Sequence, residues 1–366
     1  NVKAMRVVKS FVREDYESEK FGRAAEDVCA DFTRAERILA LNGPLMQFCI
    51  YSVMVFTLSF GSYTIISSMG LDLDVGQLSA LLTYSFMMLM SLMMLSMVFV
   101  MITMAGESTK RIIEVLSEKS TLTNPENPVF EVADGSVDFD GVSFRYSEKA
   151  ERMALSGIDL HIKSGETIGI IGGTGSAKST LVNLISRLYD VTEGSVKVGG
   201  RDVREYDIET LRSQVAVVLQ KNQLFSGTIK DNLRWGNKEA TDEEMVHVCR
   251  LAQADDFISQ FPDGYDTYIE QGGTNVSGQK QRLCIARALL KKPKVLIFDD
   301  STSAVDTKTD ACIRKALREF MPETTKIIIA QRTASVEDAD RIVVMDGGRI
   351  MAVGTHAELM AANEVY

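Results

Sequence analysis

Charge is absent from two long stretches in the first third of this 366-residue chain. Positions 38–71 and 75–106 contain no Asp, Glu, Lys or Arg. As a helix, the run from Pro44 to Leu71 would measure about 42 Å at ~1.5 Å per residue, which exceeds the ~30 Å hydrocarbon layer of a bilayer. The two stretches argue against a purely soluble protein. They also lack the intramembrane charge that usually marks an ion or proton path.

Cysteine, histidine and clustered basic residues are scarce as well. The five cysteines show no Cys-x-x-Cys or other paired spacing, which argues against a zinc site and a disulfide framework. The formal net charge is −10 without a Lys/Arg cluster, so we expect no nucleic-acid partner, because phosphates require a basic face. The three histidines are isolated, and we assign them no catalytic role. They are His161, His247 and His356.

The sequence near the amino terminus predicts a membrane hairpin. Segment 3–37 alternates basic and acidic residues at helical spacing, and we expect spans at about 44–69 and 78–104, joined by an acidic loop at 70–76. Basic residues flank both ends of the hairpin but not the loop, so both ends face the cytoplasm. We therefore predict a multi-pass plasma-membrane protein. Because the chain begins at Asn1 without a signal-peptide pattern, we expect a fragment of a longer protein.

Methionine is concentrated in the second predicted span. Flexible thioethers can repack around varied ligands, so one interpretation is a pliable wall that faces a substrate. The interpretation that we favour is that these side chains contact lipid or fill gaps. The residues are Met87, Met88, Met90, Met93, Met94, Met97, Met101 and Met104.

The remainder of the chain has the composition of a soluble α/β domain, with charges every few residues and short β-branched runs. Residues 119–136 contain prolines, a glycine and polar residues, which is typical of a linker. We therefore predict a partial membrane domain at 1–118, a linker at 119–136 and a cytoplasmic module at 137–366.

A glycine-rich stretch, 172–180, lies between a strand-like run at 167–171 and a helix-like run at 181–188. Strand, glycine-rich loop and helix form the context of a P-loop, in which backbone N–H groups and a helix N-terminus bind phosphate. Lys178 would reach the β- and γ-phosphates of ATP, and the Ser179 hydroxyl would bind Mg²⁺. A glycine-rich turn without a ligand is the less favoured alternative. The candidate residues are Gly172, Gly173, Thr174, Gly175, Ser176, Ala177, Lys178, Ser179 and Thr180.

The P-loop departs from its usual pattern at one position, and a second acidic motif lies further along the chain. Ala177 stands where the pattern has glycine before the lysine, and we expect weaker binding because Ala disfavours conformations that Gly adopts freely. An apolar strand at 295–298 ends in Asp299 and Asp300. This is the pattern of a Walker B strand, in which Asp299 would hold Mg²⁺ through water.

The order of these and further motifs resembles the ATP-binding cassette (ABC) transporters, specifically bacterial exporter half-transporters, over essentially the whole chain. The stretch 276–282 looks like the signature motif, 303–306 like the D-loop, and Gln220 like the glutamine of the Q-loop that touches Mg²⁺. Tyr146 matches the aromatic residue that stacks on adenine, with a plain strand residue as the alternative. The resemblance thus adds Tyr146, Gln220, Ser277, Gly278, Gln279 and Asp306 to the ATP site.

The resemblance also implies a fold and a domain organisation. We expect an α/β P-loop NTPase with a RecA-like core, an antiparallel β subdomain at about 137–163 and 196–199, and a helical subdomain at about 222–290. An all-α transmembrane hairpin would precede it. Residues 5–15 look like the second coupling helix, and the spans like the fifth and sixth membrane helices. Four membrane helices would then lie outside this sequence, which could not transport alone.

Two residues differ from what an active site of this family contains. Asp300 stands where the family has a catalytic glutamate, and Gln331 stands in place of the switch histidine. A carboxylate withdrawn by more than ~1 Å can lower the rate on the order of 10²-fold, and an amide never carries a proton. We therefore expect slow hydrolysis at this site. The signature is also one glycine short at Ser277-Gly-Gln279, which would impair the site of a partner chain.

Paired changes of this kind resemble heterodimeric exporters. The implied partner is a second half-transporter with intact Glu and His, and the transported substrate would be a small molecule, lipid or peptide. One alternative is a nucleotide-binding regulatory half without turnover, and another is a soluble-type ABC ATPase. A P-loop kinase or GTPase is disfavoured, because neither explains the signature, Q-loop and D-loop in this order.

Overall fold

The computed structural model describes residues 4–276, 278–300 and 307–362. The chain divides into two compact units, Asn1–Lys119 and Ser120–Tyr366. Ser277 and Asp306 of the predicted site therefore lie outside the described residues.

The first unit is helical. Two stretches of it, Glu14–Ser67 and Val75–Ser117, are long and apolar enough to cross a membrane. The second helix of the hairpin continues beyond the predicted boundary at 104, because residues 105–117 extend it with charged and apolar residues that also favour helix. The helices are α1 (Met5–Ser10), α2 (Glu14–Ala40), α3 (Asn42–Ser67) and α4 (Val75–Ser117).

The turn between α3 and α4 is defined by a capping box and by close helix packing. The Asp74 side chain accepts a hydrogen bond from the Gln77 backbone N–H at 2.7 Å, and the Gln77 side chain accepts one from the Asp74 N–H at 3.1 Å. Such a box satisfies backbone donors that the first helical turn leaves without partners. A Cβ atom at Gly61 would collide with Leu78, so glycine permits the close approach of the two helices.

The second unit is built on β-sheets. The strands are β1 (Val137–Phe144), β2 (Leu155–Ile162), β3 (Thr167–Gly172), β4 (Glu193–Val198), β5 (Arg201–Asp202), β6 (Val215–Val218), β7 (Gly227–Thr228), β8 (Tyr268–Ile269), β9 (Val295–Asp299), β10 (Thr325–Ile329), β11 (Arg341–Asp346) and β12 (Arg349–Gly354). Six of them form a sheet in the order β12-β11-β3-β10-β9-β6, in which only β12 runs antiparallel to its neighbour. An antiparallel sheet has the order β2-β1-β4-β5.

Helices complete the second unit. They are α5 (Lys178–Ile185), α6 (Ile208–Gln214), α7 (Ile229–Arg234), α8 (Asp242–Leu251), α9 (Asp255–Ile258), α10 (Lys280–Leu290), α11 (Thr307–Phe320) and α12 (His356–Ala362). Helices α7 to α10 occupy the range that the sequence predicts for the helical subdomain. One hydrophobic cluster contains residues of these helices and of the six-stranded sheet, and a second contains residues of the antiparallel sheet, α5 and the six-stranded sheet.

Residues 120–136 of the segment predicted as a linker belong to the second unit. Val132 is buried in the second hydrophobic cluster, and Val129 forms a parallel bridge with Tyr206. The ammonium of Lys294 donates to the backbone carbonyls of Val132 and Ala133. Most side chains of the segment are exposed, and Val132 anchors it in the hydrophobic cluster.

Candidate functional site

Four neighbouring parallel strands end at one edge of the six-stranded sheet, and a predicted site segment follows each of them. Strand β3 leads into the P-loop at 172–180, β10 into Gln331, β9 into Asp300 and β6 into Gln220. In open α/β sheets, ligands bind beyond the carboxyl ends of the strands. The structure therefore gathers residues from distant parts of the sequence at the edge where a nucleotide would bind.

The side chain of Lys178 lies along the P-loop. Its Nζ donates to the carbonyl oxygens of Gly172 and Gly173, both at 2.8 Å, and to Ser176 Oγ at 3.1 Å. Burial lowers the pKa of Lys178, whereas the charges of two nearby aspartates act in the opposite direction. The ammonium is thus held at the loop where the β- and γ-phosphates of ATP would lie.

The P-loop backbone requires unusual conformations. A Cβ at Gly172 would collide with the carbonyl oxygen of Met345, and Gly175 has φ 86°. Ala177 itself lies in the left-handed region, at φ 68° and ψ 23°, immediately before α5. An L-residue in this region is strained by about 1–2 kcal/mol. The substitution for glycine that the sequence shows therefore carries a real conformational cost.

Replacing Ala177 by glycine is expected to stabilise the protein. The relief of left-handed strain exceeds the extra chain entropy of glycine, so we expect the free energy of unfolding to rise by roughly 0.5–1 kcal/mol. Nucleotide affinity should rise a few-fold. Urea denaturation and nucleotide titration measure the two effects. The matched control is Ala311→Gly on the exposed face of α11, where we expect a loss of about 0.5–1 kcal/mol, and equal effects at the two positions would contradict the prediction.

The hydroxyl of Ser179 and the carboxylate of Asp299 meet across the site. Ser179 Oγ donates to Asp299 Oδ1 at 2.9 Å, which joins the start of α5 to the end of β9. Burial raises the pKa of Asp299, and the neighbouring charge of Asp300 raises it further, whereas the Ser179 hydrogen bond and Lys178 lower it. A partly buried carboxylate of this kind is stabilised in its ionised form by a cation.

The Asp300 carboxylate accepts hydrogen bonds from two side-chain amides. Gln220 Nε2 donates to Asp300 Oδ2 at 3.0 Å, and Gln331 Nε2 donates to the same oxygen at 2.8 Å. Because Nε2 of Gln220 faces Asp300, the amide oxygen Oε1 of Gln220 is the atom that would coordinate a metal. Hydroxyl, carboxylate and amide oxygens are ligands that suit Mg²⁺, so Ser179, Asp299 and Gln220 together match the donor set of a magnesium site.

Tyr146 is close to the start of α5. Its hydroxyl lies 2.9 Å from Thr180 Oγ1, and its ring meets those of Phe144 and Tyr189 edge to face at 4.9 Å and 5.1 Å. The side chain remains 56% exposed, so the ring is accessible to a base. The sequence did not point to Tyr189, because an isolated aromatic after a helix carries no local signal of its partner.

The signature-like residues lie in the helical subdomain. Gly278 is exposed, and Gln279 is the N-cap residue of α10, where its backbone N–H donates to the Val276 carbonyl at 2.9 Å. A helix N-terminus favours phosphate. Among the described residues, no hydrogen bond joins Gly278 or Gln279 to the P-loop, Asp299 or Asp300, and their role toward the nucleotide of another chain stays a prediction.

The chain is similar to known proteins over its whole length. Residues 1–104 match the family model "ABC transporter transmembrane region", and residues 155–303 match the model "ABC transporter". An uncharacterised ABC transporter ATP-binding protein of Mycobacterium tuberculosis is 41% identical over 368 residues, which cover 99% of this chain and 62% of that protein. The similar protein YknU of Bacillus subtilis is 36% identical, with coverage of 100% and 62%.

A solved structure is also similar to this chain. It is described as a bacterial Atm1-family ABC exporter with ATP bound, and it superposes with a TM-score of 0.90 at 30% identity. The match covers 100% of this chain and 64% of that one. The chain thus spans about 62% of the length of the curated relatives described above.

Proposed function

Because the chain belongs to the ABC transporter family and contains the membrane region and ATP-binding domain of an exporter half-transporter, we propose that it is a subunit of an ATP-driven plasma-membrane exporter. We further propose that its own ATP site, which contains the P-loop, Asp299 and Asp300, binds Mg²⁺ and ATP but hydrolyses ATP slowly. The match to a transmembrane-region model is inconsistent with the soluble-type ABC ATPase considered above.

The observation that supports slow hydrolysis is the environment of Asp300. A residue that activates water must direct a carboxylate oxygen at the water and accept its proton. Here the side chain is one methylene shorter than glutamate, and Oδ2 already accepts hydrogen bonds from Gln220 and Gln331. Those donors orient the carboxylate toward themselves. Gln331 cannot supply a charged donor to the γ-phosphate, since an amide does not protonate.

The residues that would bind nucleotide lie at the same edge of the sheet as Asp300. Lys178 lies on the P-loop, and Ser179 with Asp299 offers oxygen ligands to Mg²⁺. Bound magnesium would neutralise charge on the phosphates. The residues of this chain then hold the triphosphate in place without an efficient base for the water. This combination favours long-lived nucleotide binding, which suits one half of an asymmetric pair.

The partner is proposed to be a different half-transporter with an intact glutamate and histidine. In a head-to-tail pair, Gly278 and Gln279 of this chain would face the partner's nucleotide from the N-terminus of α10. Substrate would be a small molecule, lipid or peptide that moves along a path built by both chains and surrounded by membrane lipid. The apolar helices α3 and α4 would contribute part of that path.

The test compares two inactivating changes in the assembled transporter. Asp300→Asn in this chain is expected to leave most of the ATP turnover, whereas Glu→Gln at the partner's Walker B position should lower it on the order of 10²-fold. Steady-state ATPase and transport assays in proteoliposomes give both values. If Asp300→Asn abolished turnover and the partner change did little, the weak site would be on the partner. A homodimeric transporter with full activity would contradict the heterodimer.

A further inference from the structure

The ring of Tyr146 is held by contacts at its hydroxyl and on two sides. Its hydroxyl pairs with Thr180 Oγ1 at 2.9 Å. Tyr189 meets the ring at an interplanar angle of 89°, and Phe144 at 79°. Phe144 and Tyr189 also contact each other, at 5.5 Å between ring centroids. We call Phe144, Tyr146 and Tyr189 the aromatic frame. The frame borders a cavity of about 780 Å³, so it is open to a ligand.

Thr180 and Tyr189 both belong to the P-loop helix and the turn that ends it. Thr180 lies in the first turn of α5, and Tyr189 follows the residue that ends the helix by only a few positions. The turn contains Arg187, which has φ 48° and is buried. Its guanidinium binds the Asp190 carboxylate through Nε at 2.9 Å and Nη2 at 3.3 Å.

The ion pair between the buried Arg187 and the partly exposed Asp190 helps to fix the turn. A left-handed arginine is strained, and it persists because surrounding contacts determine the conformation. Arg187 Nη2 also donates to the Thr123 carbonyl, and Arg212 donates to the Arg187 carbonyl at 2.7 Å. Tyr189 is therefore presented to Tyr146 from a turn that is anchored on both sides.

We propose that Thr180 and Tyr189 are positioning residues that set the orientation of Tyr146 for stacking on the base of a purine nucleotide. Thr180 lies in α5 and Tyr189 in the turn that ends it, so the helix that begins at the P-loop also sets the orientation of Tyr146. The Thr180 hydroxyl can accept a hydrogen bond from Tyr146 while it donates its own proton elsewhere. The inference rests on the proposed nucleotide-binding function.

Two ligands separate the contribution of base stacking from that of phosphate binding. Mg²⁺-ATP uses both the P-loop and Tyr146, whereas Mg²⁺-tripolyphosphate, which has no base, uses the P-loop alone. Loss of one edge-to-face aromatic contact or of one hydrogen bond to the ring should weaken ATP binding by roughly threefold to tenfold. Tripolyphosphate binding should stay within about twofold of the wild-type value, because the phosphate loop is untouched.

The experiment measures the affinity of the full chain in detergent for both ligands by calorimetry. The variants are Tyr189→Leu, which removes the ring, and Tyr146→Phe, which removes only the hydroxyl. The matched control is Tyr268→Leu at an exposed tyrosine of β8, for which both affinities should stay unchanged. Tyr146→Phe keeps the aromatic frame filled, so it remains informative if Tyr189→Leu does not fold.

Selective loss of ATP affinity in both variants would support the inference. Equal loss of ATP and tripolyphosphate affinity would show that the changes damage the P-loop itself and would overturn it. Unchanged ATP affinity would also overturn it. Equal affinity of the wild-type chain for the two ligands would show that the base adds nothing to binding. That result would overturn the inference but leave the proposed phosphate site intact. Binding of neither ligand by the wild-type chain would refute the proposed function as well.

Discussion

Changing Asp300 to Glu and Gln331 to His together is expected to raise ATP turnover at this chain's own site on the order of 10²-fold. The longer side chain moves the carboxylate toward the position of an attacking water, and loss of the Gln331 amide removes one of the two donors that hold Oδ2. A histidine can also donate to the γ-phosphate. The measurement is steady-state ATPase of the transporter with the partner's site silenced by Glu→Gln at its Walker B position.

The single changes provide the controls for this experiment. Asp300→Glu alone should give only part of the gain, because Gln331 still stands in place of the histidine that would contact the γ-phosphate. The backbone at Asp300 has φ 47°, which Asp tolerates better than Glu, so thermal unfolding of each variant must be measured as well. If the double variant folded, bound ATP and still hydrolysed it at the wild-type rate, the identities of these two residues would not explain slow turnover. If neither the wild-type chain nor the double variant showed turnover, a regulatory half without any turnover would be favoured.

Asp299→Asn is expected to weaken Mg²⁺-dependent ATP binding on the order of 10²-fold while it raises the melting temperature of the nucleotide-free protein. The neutral amide removes the anionic metal ligand but keeps an acceptor for Ser179. Because burial raises the pKa of Asp299 above its unfolded value, ionisation in the folded state is unfavourable. The amide avoids that cost. Nucleotide titrations with and without Mg²⁺, and thermal unfolding in EDTA, measure both effects.

The sign of the pH dependence follows from the same shift. The folded carboxyl binds its proton more tightly than the unfolded one, so nucleotide-free stability decreases as the pH rises from the unfolded pKa through the folded pKa of Asp299. Protons compete with Mg²⁺, and metal binding should weaken as the pH falls toward this pKa. Asp299→Asn should lose both trends. An exposed control, Asp263→Asn, should keep them, and a variant at 299 with wild-type Mg²⁺ dependence would exclude Asp299 as a ligand.

Local motifs account for what the sequence predicted well. The glycine-rich loop between a strand and a helix, and the apolar strand that ends in two acids, are contiguous, so residue type and spacing are sufficient to recognise them. The predicted family and the predicted fold class, an α/β P-loop NTPase behind a helical membrane hairpin, are confirmed. The uncharged stretches predict membrane helices for an equally local reason, since a bilayer selects continuous apolar length.

The contacts of segment 119–136 could not be predicted from its composition. Its prolines and polar residues are typical of a linker, and the structure adds that Val132 lies in a hydrophobic cluster and that Lys294 binds the backbone of this segment. Burial of a short segment depends on partners far away in the sequence. Composition cannot identify those partners.

The sequence by itself determined which chemical groups this protein has. They are a P-loop lysine, a hydroxyl and a carboxylate that suit Mg²⁺, and Asp and Gln in place of Glu and His. Only the tertiary structure decided that Gln220 and Gln331 share one oxygen of Asp300, that Ala177 has a left-handed backbone, and that Tyr189 supports Tyr146. The physical reason is strand order. Strands β6, β9, β10 and β3 are neighbours in the sheet although they are far apart in the chain, and parallel pairing brings their carboxyl ends together.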